Sequence, residues 1–543
     1  MSKLAGYLQE HLEGEILTAR KVREFFSTDG SVFELEPRLV VYPLNATDVR
    51  KTVRFSWQLA EKGKILPITA RGKGTDQAGA ALGDGIVMVF PAHMNKLIEL
   101  QKEQVTVQPG ENYAALQKVL KTHGRFLPPY PSSIDYSTIG GAVANNASGE
   151  LTLKYGSTKA FVKGLQIVLA NGEVIETGQL SKRDLDKKMG ETTFEAEIYR
   201  QLDTLIMDNW DLIQNSVLDV SKNSAGYDLL SVKDAKGNFD LTPLMVGSQG
   251  TLGVVTEIDL RTEEYSPDNT LIAAYFDDLD KAGEAVTALR ELGPAALEFV
   301  DEFLLNLVYE HNPNQLSGLV EKPYPKFILL VEFDDLSESK RKKLTKKARK
   351  ILDPLANEYQ VTIDPKEQEA LWKLRRSAAA VMWHTKGTAK AVPIIEDGIV
   401  PEHRFVEFIH KAYAMFKKFD LDVALWGHAG NGNIHMQPFL DLSKTSDRQT
   451  VFKIMDEYYG MIMEMGGSTC GEHNDGRLRA PYLKELYGDD MYDLFVKVKN
   501  IFDPYGILNP GVKINVTKKD LVPLLRKEYG MEHLSEHLPR THR

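Results

Sequence analysis

The segment that most restricts this chain runs from Ile65 to Gly85, ILPITARGKGTDQAGAALGDG, where a short apolar strand pattern gives way to closely spaced Gly72, Gly74 and Gly79. Glycines so placed let successive backbone N–H groups turn toward one point, which forms a nest able to hold a pyrophosphate. Arg71 and Lys73 add charge beside it. Read alone, such a loop is also the pattern of a plain turn. Two common nucleotide folds find no support: no GxGxxG follows a strand at the right distance from an acidic residue, and no GxxxxGK[ST] occurs.

Two further segments change the reading. In PPYPSSIDYSTIGGAVANNASGE, the residues Pro131, Ser132, Thr138, Gly140, Gly141, Asn145 and Gly149 crowd one stretch with small side chains. A planar ring system that approaches main chain closely demands such residues. In LMVGSQGTLGVVTEIDLR, Gly247, Gly250 and Gly253 precede a strand that contains Val255. Between these pieces lie β-branched runs, VVYP (40–43), GIVMVF (85–90) and GLQIVLANGEVIETG (164–178), the last with a hairpin turn at Asn171-Gly172.

From about Pro37 to Arg261 the pattern predicts mixed α+β structure with many strands. After Glu263 the glycine density falls, and helices such as DEFLLNLVYEH (301–311) alternate with strands such as LIAAYF (271–276) and FILLVEF (327–333). The boundary is placed near residue 265. A chain of 543 residues needs more than one core, because single cores stop growing beyond roughly 250 to 300 residues. The tail from Lys518 is predicted as a surface helix with a frayed end, and the run Lys340 to Lys350 as the solvated face of one helix.

The chemistry-bearing residues lie late in the chain. LWGHAGNGNIHMQP places His428 and His435 on either side of a glycine-rich turn, with Gln437 on the same strand face as His435. GGSTCGEHNDGRLR sets Glu472 beside His473. Two imidazoles and a carboxylate suit Zn²⁺ or another divalent metal with open positions; isolated histidines also serve as surface or core fillers. EALWKLRRSAAAVMW reads as a helix with an apolar stripe of Leu371, Leu374, Ala378 and Met382, and it carries Arg375 and Arg376 about 100° apart. One of the two can face a cavity and grip a carboxylate by two parallel hydrogen bonds.

The three glycine segments, in this order, resemble the FAD-binding domain of the vanillyl alcohol oxidase and p-cresol methylhydroxylase (PCMH) type. The resemblance extends through STDGSVFELEPRLVVYP, YGSTKAFVKGLQIVLANGE and FDPYGILNPGVKI (502–514), the last being a segment that returns to the FAD site. The region from Trp372 onward resembles the cap of D-lactate, glycolate and D-2-hydroxyglutarate dehydrogenases, whose motifs read GHxGDGNxH and EHGxG. The resemblance implies a fold class of α+β, with a two-part FAD-binding domain (37–265), a cap with an antiparallel sheet (266–500), the returning segment (501–516), an N-terminal helical segment (1–36) and a tail (517–543).

It implies FAD contacts from Arg71, Gly72, Lys73, Gly74, Thr75, Asp76, Gly79, Pro131, Ser132, Thr138, Gly140, Gly141, Asn145, Gly149, Gly250, Val255 and Asn509. It implies His428, His435 and Glu472 as ligands of a divalent metal, zinc being the expected ion, with His473 as the base and Arg375 as the carboxylate clamp. Lys73 and Asp76 depart from the family's run of three glycines followed by Thr-Ser. Asn431 replaces an aspartate and Asn474 a glycine, a position that asparagine tolerates in the left-handed conformation. With no histidine between Arg71 and Gly79, non-covalent FAD is expected. Relatives that act on D-2-hydroxyglutarate can carry a lysine where this chain has Ile395; Lys390 is the nearest alternative.

The implied reaction is oxidation of a small D-2-hydroxy acid (D-lactate, D-2-hydroxyglutarate or glycolate) to the 2-keto acid, with hydride transfer to flavin N5. The alternatives are an aldonolactone or sugar oxidase on the same fold, or an FAD-carrying, non-catalytic subunit of a redox complex. The single cysteine, Cys470, excludes an internal disulfide and an iron–sulfur cluster held by four thiolates of this chain. Electrons must then pass to a separate acceptor: a quinone, a cytochrome, an electron-transfer flavoprotein or dioxygen, with peripheral membrane association through that acceptor. A net charge of −10 gives no support to a nucleic-acid partner. The first residues lack a signal-peptide pattern, so a cytoplasmic location is expected.

Overall fold

The apolar runs Leu39–Tyr42, Ile68–Arg71 and Ile86–Val89 form parallel strands, with Ile86–Val89 in the middle. Nearly all their residues are buried, as expected for parallel strands covered on both faces. The computed structural model describes residues 3–540 except 312–313, 315, 317–318, 336 and 384–386, and except the side chains of 311 and 377–383. The expected side-chain stripe at Ala378 and Met382 therefore lies outside the described residues.

The N-terminal stretch is not helical throughout. Between the helices Lys3–His11 and Arg20–Phe25, Glu15–Leu17 adds antiparallel to Leu39–Tyr42 and completes a four-stranded sheet. A second, antiparallel sheet has the order Leu97–Leu100, Gln104–Val107, Val254–Arg261, Val162–Val168, Val174–Glu176. Its central strand, Val254–Arg261, alternates buried and half-buried residues, the period of 2 of a strand with one better-covered face. The hairpin at Asn171-Gly172 closes with Gly172 at φ +87° and Leu169 N–H donating to the Glu173 carbonyl. The small-residue stretch contains a short helix, Ile139–Asn145, whose first turn is capped by Thr138 Oγ1 accepting from Gly141 N–H.

The cap is a seven-stranded antiparallel sheet of order Glu358–Thr362, Thr270–Phe276, Phe327–Phe333, Ala296–Asp301, Val423–His428, Asn433–Leu440, Lys390–Ala391. Strand alternation sends Leu297, Phe299, Leu425, Ile434 and Met436 into a core shared with the helices Leu279–Arg290, Phe405–Phe419 and Thr445–Glu464. The opposite face packs Ala296, Val300, Ala424 and Trp426 against the helices Glu302–His311 and Pro365–Trp383. By the same period, Glu298, His428, His435 and Gln437 share this second face with Trp426. Arg375 sits on the helix above it.

The basic run lies on the helix Glu338–Leu352, which buries Arg341, Ala348 and Leu352 and leaves its lysines exposed. Among the described residues no helix is long and apolar enough to cross a membrane. The tail departs from the single surface helix expected of it. It makes a helical turn, Lys518–Leu521, then a 3₁₀ turn, an irregular run and a second helical turn, Glu532–Ser535, with Leu521, Tyr529, Met531 and Leu534 buried. Pro523 and Gly530 interrupt the helix, and the apolar residues lack helical spacing.

Candidate functional site

The glycine segments and the second face of the cap sheet enclose one cavity of about 1750 Å³, open mouth included. Of the residues expected to contact FAD, all but Gly79 and Asn509 line it.

On the glycine wall, the backbone N–H groups of Gly72, Lys73, Gly74 and Thr75 have no hydrogen-bond partner among the described residues, and all four residues face the cavity. A cluster of unpaired donors is what an anion's oxygens would satisfy, so the residues present fit a pyrophosphate. The glycines are required by the protein behind them: a Cβ at Gly72 would lie 2.4 Å from Thr138 Oγ1, and one at Gly149 1.9 Å from the Tyr130 carbonyl. Their absence lets the segments lie against each other and present main chain to the ligand.

The charged side chains of the loop do not point at that nest. Arg71 is buried, with Nη2 donating to the Thr28 carbonyl at 2.7 Å and Nη1 to Phe26 and Ala81. Lys73 Nζ donates to the Glu536 carbonyl at 2.8 Å. Asp76 ties the loop to itself and to its neighbour: Oδ2 accepts from Ala78 and Ala80 N–H, and Oδ1 from Asn145 Nδ2 at 2.9 Å. Gly79, at φ +82°, and Asn509 support from outside the lining. Asn509 Nδ2 donates to the Ala80 and Gln249 carbonyls, which joins the returning segment to two of the glycine segments. Gln249, not singled out from the sequence, lies in the lining at φ +52° and bonds Asn145 and Gly476 N–H.

The other wall is made of side chains. The strands Val423–His428 and Asn433–Leu440 pair Trp426 with His435 and His428 with Asn433, so both histidines project from one face of the hairpin. His428 Nδ1 lies 2.8 Å from Glu298 Oε1, and His435 Nδ1 2.6 Å from the Glu396 carbonyl. Both Nε2 atoms then converge on Glu472 Oε1, at 3.0 and 3.2 Å. Three donor atoms this close, each imidazole oriented through its other nitrogen, suit an ion about 2 Å from each.

Burial opposes charge on His428, but Glu298 and Glu472 outweigh it and raise its pKa. Burial pushes His435 down to about 3. Glu472 would be raised by its burial, yet His428 and Lys222 draw it well below the usual carboxylate range. With a carboxylate oxygen facing each of its ring nitrogens, His428 is placed to donate through both. A second grouping, Asp397, His435, Glu472 and His473, has ligand atoms within 4.8 Å of one another. Asp397 is already engaged there, accepting from the backbone N–H of Glu472 at 3.1 Å and of His473 at 2.7 Å.

Lys222 and Ser148 were not legible from sequence. Both hold the far oxygen of Glu472, each at 2.5 Å. His473 bonds Glu396 through Nδ1, its ring stacks on His435 at 5.0 Å, and at 29% side-chain exposure it is the most open of these groups. Its loop is anchored through Asn474, at φ +67°, whose Nδ2 donates to the Asn145 and Gly247 carbonyls. The asparagine therefore keeps glycine's conformation and adds contacts that glycine cannot make. Asn431 faces away, with Nδ2 on Ser221 Oγ at 3.0 Å.

The two arginines divide as their helical spacing requires. Arg375 lines the cavity, with Nε and Nη2 on Glu298 Oε2 at 2.9 and 2.8 Å and no partner for Nη1 among the described residues. Arg376 grips Glu150 of the small-residue segment by a two-bond fork, both bonds at 2.9 Å, and so ties the cap helix to the flavin side. Ile395 is buried, and Lys390 lies on the edge strand Lys390–Ala391, outside the lining.

Comparison with known proteins matches residues 37–178 to the FAD binding domain model and 266–512 to the model of FAD linked oxidases, C-terminal domain. A D-2-hydroxyglutarate dehydrogenase of Pantoea ananatis (strain AJ13355) is 30% identical over 514 residues, which cover 92% of this chain and 50% of that protein. This chain therefore spans about half the length of that relative. A glycolate oxidase subunit GlcD of Bacillus subtilis (strain 168) is 29% identical over 485 residues, 88% of this chain and 89% of that protein. Among solved structures, 4-ethylphenol oxidase from Gulosibacter chungangensis superposes with a TM-score of 0.69 at 16% identity, covering 95% of this chain and 97% of that one.

Proposed function

Because this chain belongs to the FAD-linked oxidases of the vanillyl alcohol oxidase type, in the family of D-2-hydroxyglutarate, D-lactate and glycolate dehydrogenases, we propose that it oxidises a small D-2-hydroxy acid to the 2-keto acid. The observation that carries this reading is the meeting of His428, His435, Glu472, His473 and Arg375 on the wall opposite the glycine segments of one cavity. A lactone or sugar substrate, lacking a free carboxylate, would leave the Nη1 donor of Arg375, the one not engaged by Glu298, without an anionic partner in the cavity.

In this reading FAD is held without a covalent bond by the N–H groups of Gly72 to Thr75 and lined by the Pro131 to Gly149 segment. A divalent metal, zinc in the first instance, is held by His428, His435 and Glu472. When bound, FAD supplies the two-electron acceptor and the metal polarises the substrate hydroxyl.

The chain's own groups do the rest. Arg375 orients the substrate carboxylate through its remaining donor, its guanidinium already fixed by Glu298. His473 takes the hydroxyl proton on Nε2, because Nδ1 is engaged by Glu396. Trp426 and Gln437 close the same face against water. Electrons leave to a separate acceptor, whether quinone, cytochrome, electron-transfer flavoprotein or dioxygen, and the reaction is assigned to the cytoplasm.

The test is anaerobic mixing of the FAD-loaded, metal-supplied protein with D- and L-lactate, D-2-hydroxyglutarate and glycolate, followed at the oxidised flavin band. Bleaching by D-acids or glycolate but not by L-lactate is expected. No bleaching by any of them rejects the reading in favour of a lactone oxidase or a non-catalytic subunit.

A further inference from the structure

Residues 526–539 lie outside both matched family domains and outside the cavity lining, yet they make close contact with the pyrophosphate loop. His533 Nε2 is 3.0 Å from the Gly74 carbonyl, which also accepts from Gly30 N–H at 3.1 Å. A carbonyl only accepts, so Nε2 carries the proton. Burial holds the His533 pKa down to about 3, with Arg71 acting in the same direction, and the ring is neutral at ordinary pH.

Around this contact the tail is bound at several points. Lys73 Nζ donates to the Glu536 carbonyl at 2.8 Å, Tyr42 Oη to the Pro539 carbonyl at 2.7 Å, and Tyr529 Oη to the Gly30 carbonyl at 2.9 Å. Arg526 Nη1 reaches the Asp29 and Ser31 carbonyls. Tyr529, Met531 and Leu534 belong to the same buried cluster as Val32, Phe33 and Ala78.

The consequence follows from peptide geometry. In a planar trans peptide the C=O of one residue and the N–H of the next point in opposite directions. Two donors that hold the Gly74 carbonyl away from the cavity therefore turn the Thr75 N–H toward it. Lys73, which stands where the resembling family carries glycine, has its charge on the tail rather than in the nest.

We propose that residues 526–539 form a strap that holds the pyrophosphate loop in its anion-binding shape, with His533 and Lys73 as positioning residues that slow the release of FAD. The strap rests on the reading that this loop holds the FAD pyrophosphate.

The experiment uses the full chain loaded with FAD and follows the rise in flavin fluorescence on release, with His533→Ala, Lys73→Ala, the double variant and Lys73→Arg. The double variant is expected to release FAD about tenfold faster or more, since it removes both the buried His533 bond and the exposed Lys73 bond that brace the loop. Lys73→Arg, which keeps a donor for the Glu536 carbonyl, should stay near wild type. Hydrogen exchange on the unaltered chain is the second measurement. Adding FAD should slow exchange of amides in 529–536 together with those of 72–76. Wild-type release rates in the double variant, or exchange in 529–536 indifferent to FAD, overturn the strap. An unaltered chain that takes up no FAD overturns the cofactor reading and the strap with it.

Discussion

The two walls of the cavity are built on opposite principles. The glycine wall offers main-chain N–H groups, while its charged side chains, Arg71, Lys73 and Asp76, are spent on carbonyls and amides of the protein. The cap wall offers side chains locked in a buried chain of contacts, Arg375 to Glu298 to His428 to Glu472 to Lys222. A nest made of main chain depends on conformation, so it accepts unusual side chains such as Lys73 and Asp76 if they turn away. A network of buried charges depends on each member, because removing one leaves another unpaired in a medium that solvates it poorly.

Substitutions can break this contrast. The largest effect is expected at His473, where replacement by alanine should lower turnover by about 10² to 10⁴ and leave FAD bound. Stopped-flow flavin reduction, beside the flavin-to-protein absorbance ratio, checks both halves. Reduction at the wild-type rate would remove His473 from the chemistry.

Glu298→Ala comes next. It leaves Arg375 and His428 without their shared carboxylate, and stability should fall by about 3 to 5 kcal/mol, measured by urea unfolding. A loss under about 1 kcal/mol, the scale of an exposed pair, would mean the network is not interdependent.

Asp301, on the same strand, sharpens the point because it is a buried carboxylate without a cationic partner among the described residues. Burial raises its pKa to about 7 from 3.8. The folded chain therefore holds a proton that the unfolded chain releases between these values, and stability falls as pH rises from 3.8 to about 7. The slope is at most about 1.4 kcal/mol per pH unit. Asp301→Asn should flatten the dependence of unfolding free energy on pH over that window; an unchanged slope assigns the titration to another group.

On the glycine wall the expected effect is smaller and of another kind. Gly74 stands at φ +85°, and an added Cβ would approach Arg71 Nη2 to 2.3 Å. Gly74→Ala should cost about 1 to 2 kcal/mol of stability and weaken FAD retention, read by differential scanning fluorimetry with and without added FAD. Equal melting temperatures for the variant and the wild type would show the loop to be more pliant than its contacts imply.

Much of this molecule was readable in one dimension. Strand alternation and turn chemistry are local, so the runs at 40–43, 85–90, 271–276 and 327–333, the Asn171-Gly172 hairpin and the helix carrying Arg375 could be placed without a fold. The glycine segments could be paired with a cofactor through their order along the chain. His428 and His435 stood out through the resemblance of their motif, whereas their meeting on one face rested on the register of the two strands around the glycine turn.

Other features exist only across long separations. Glu298 and Lys222 lie far along the chain from Glu472 and His428, in segments whose local pattern is that of ordinary core or loop, and Ser148, though inside the small-residue stretch, carries no local sign of its contact with Glu472. Nothing in a window around Glu298 distinguishes it from an isolated buried carboxylate such as Asp301; the difference is which helix packs above it. The tail shows the same limit. Its composition favours a solvated helix, and the apolar residues at irregular spacing gain their burial only from the pyrophosphate loop and the cluster around Val32 and Phe33. Backbone preference and side-chain period are written residue by residue, whereas the pairing of buried charges and the docking of an irregular segment are set by distances that close only when the whole chain folds.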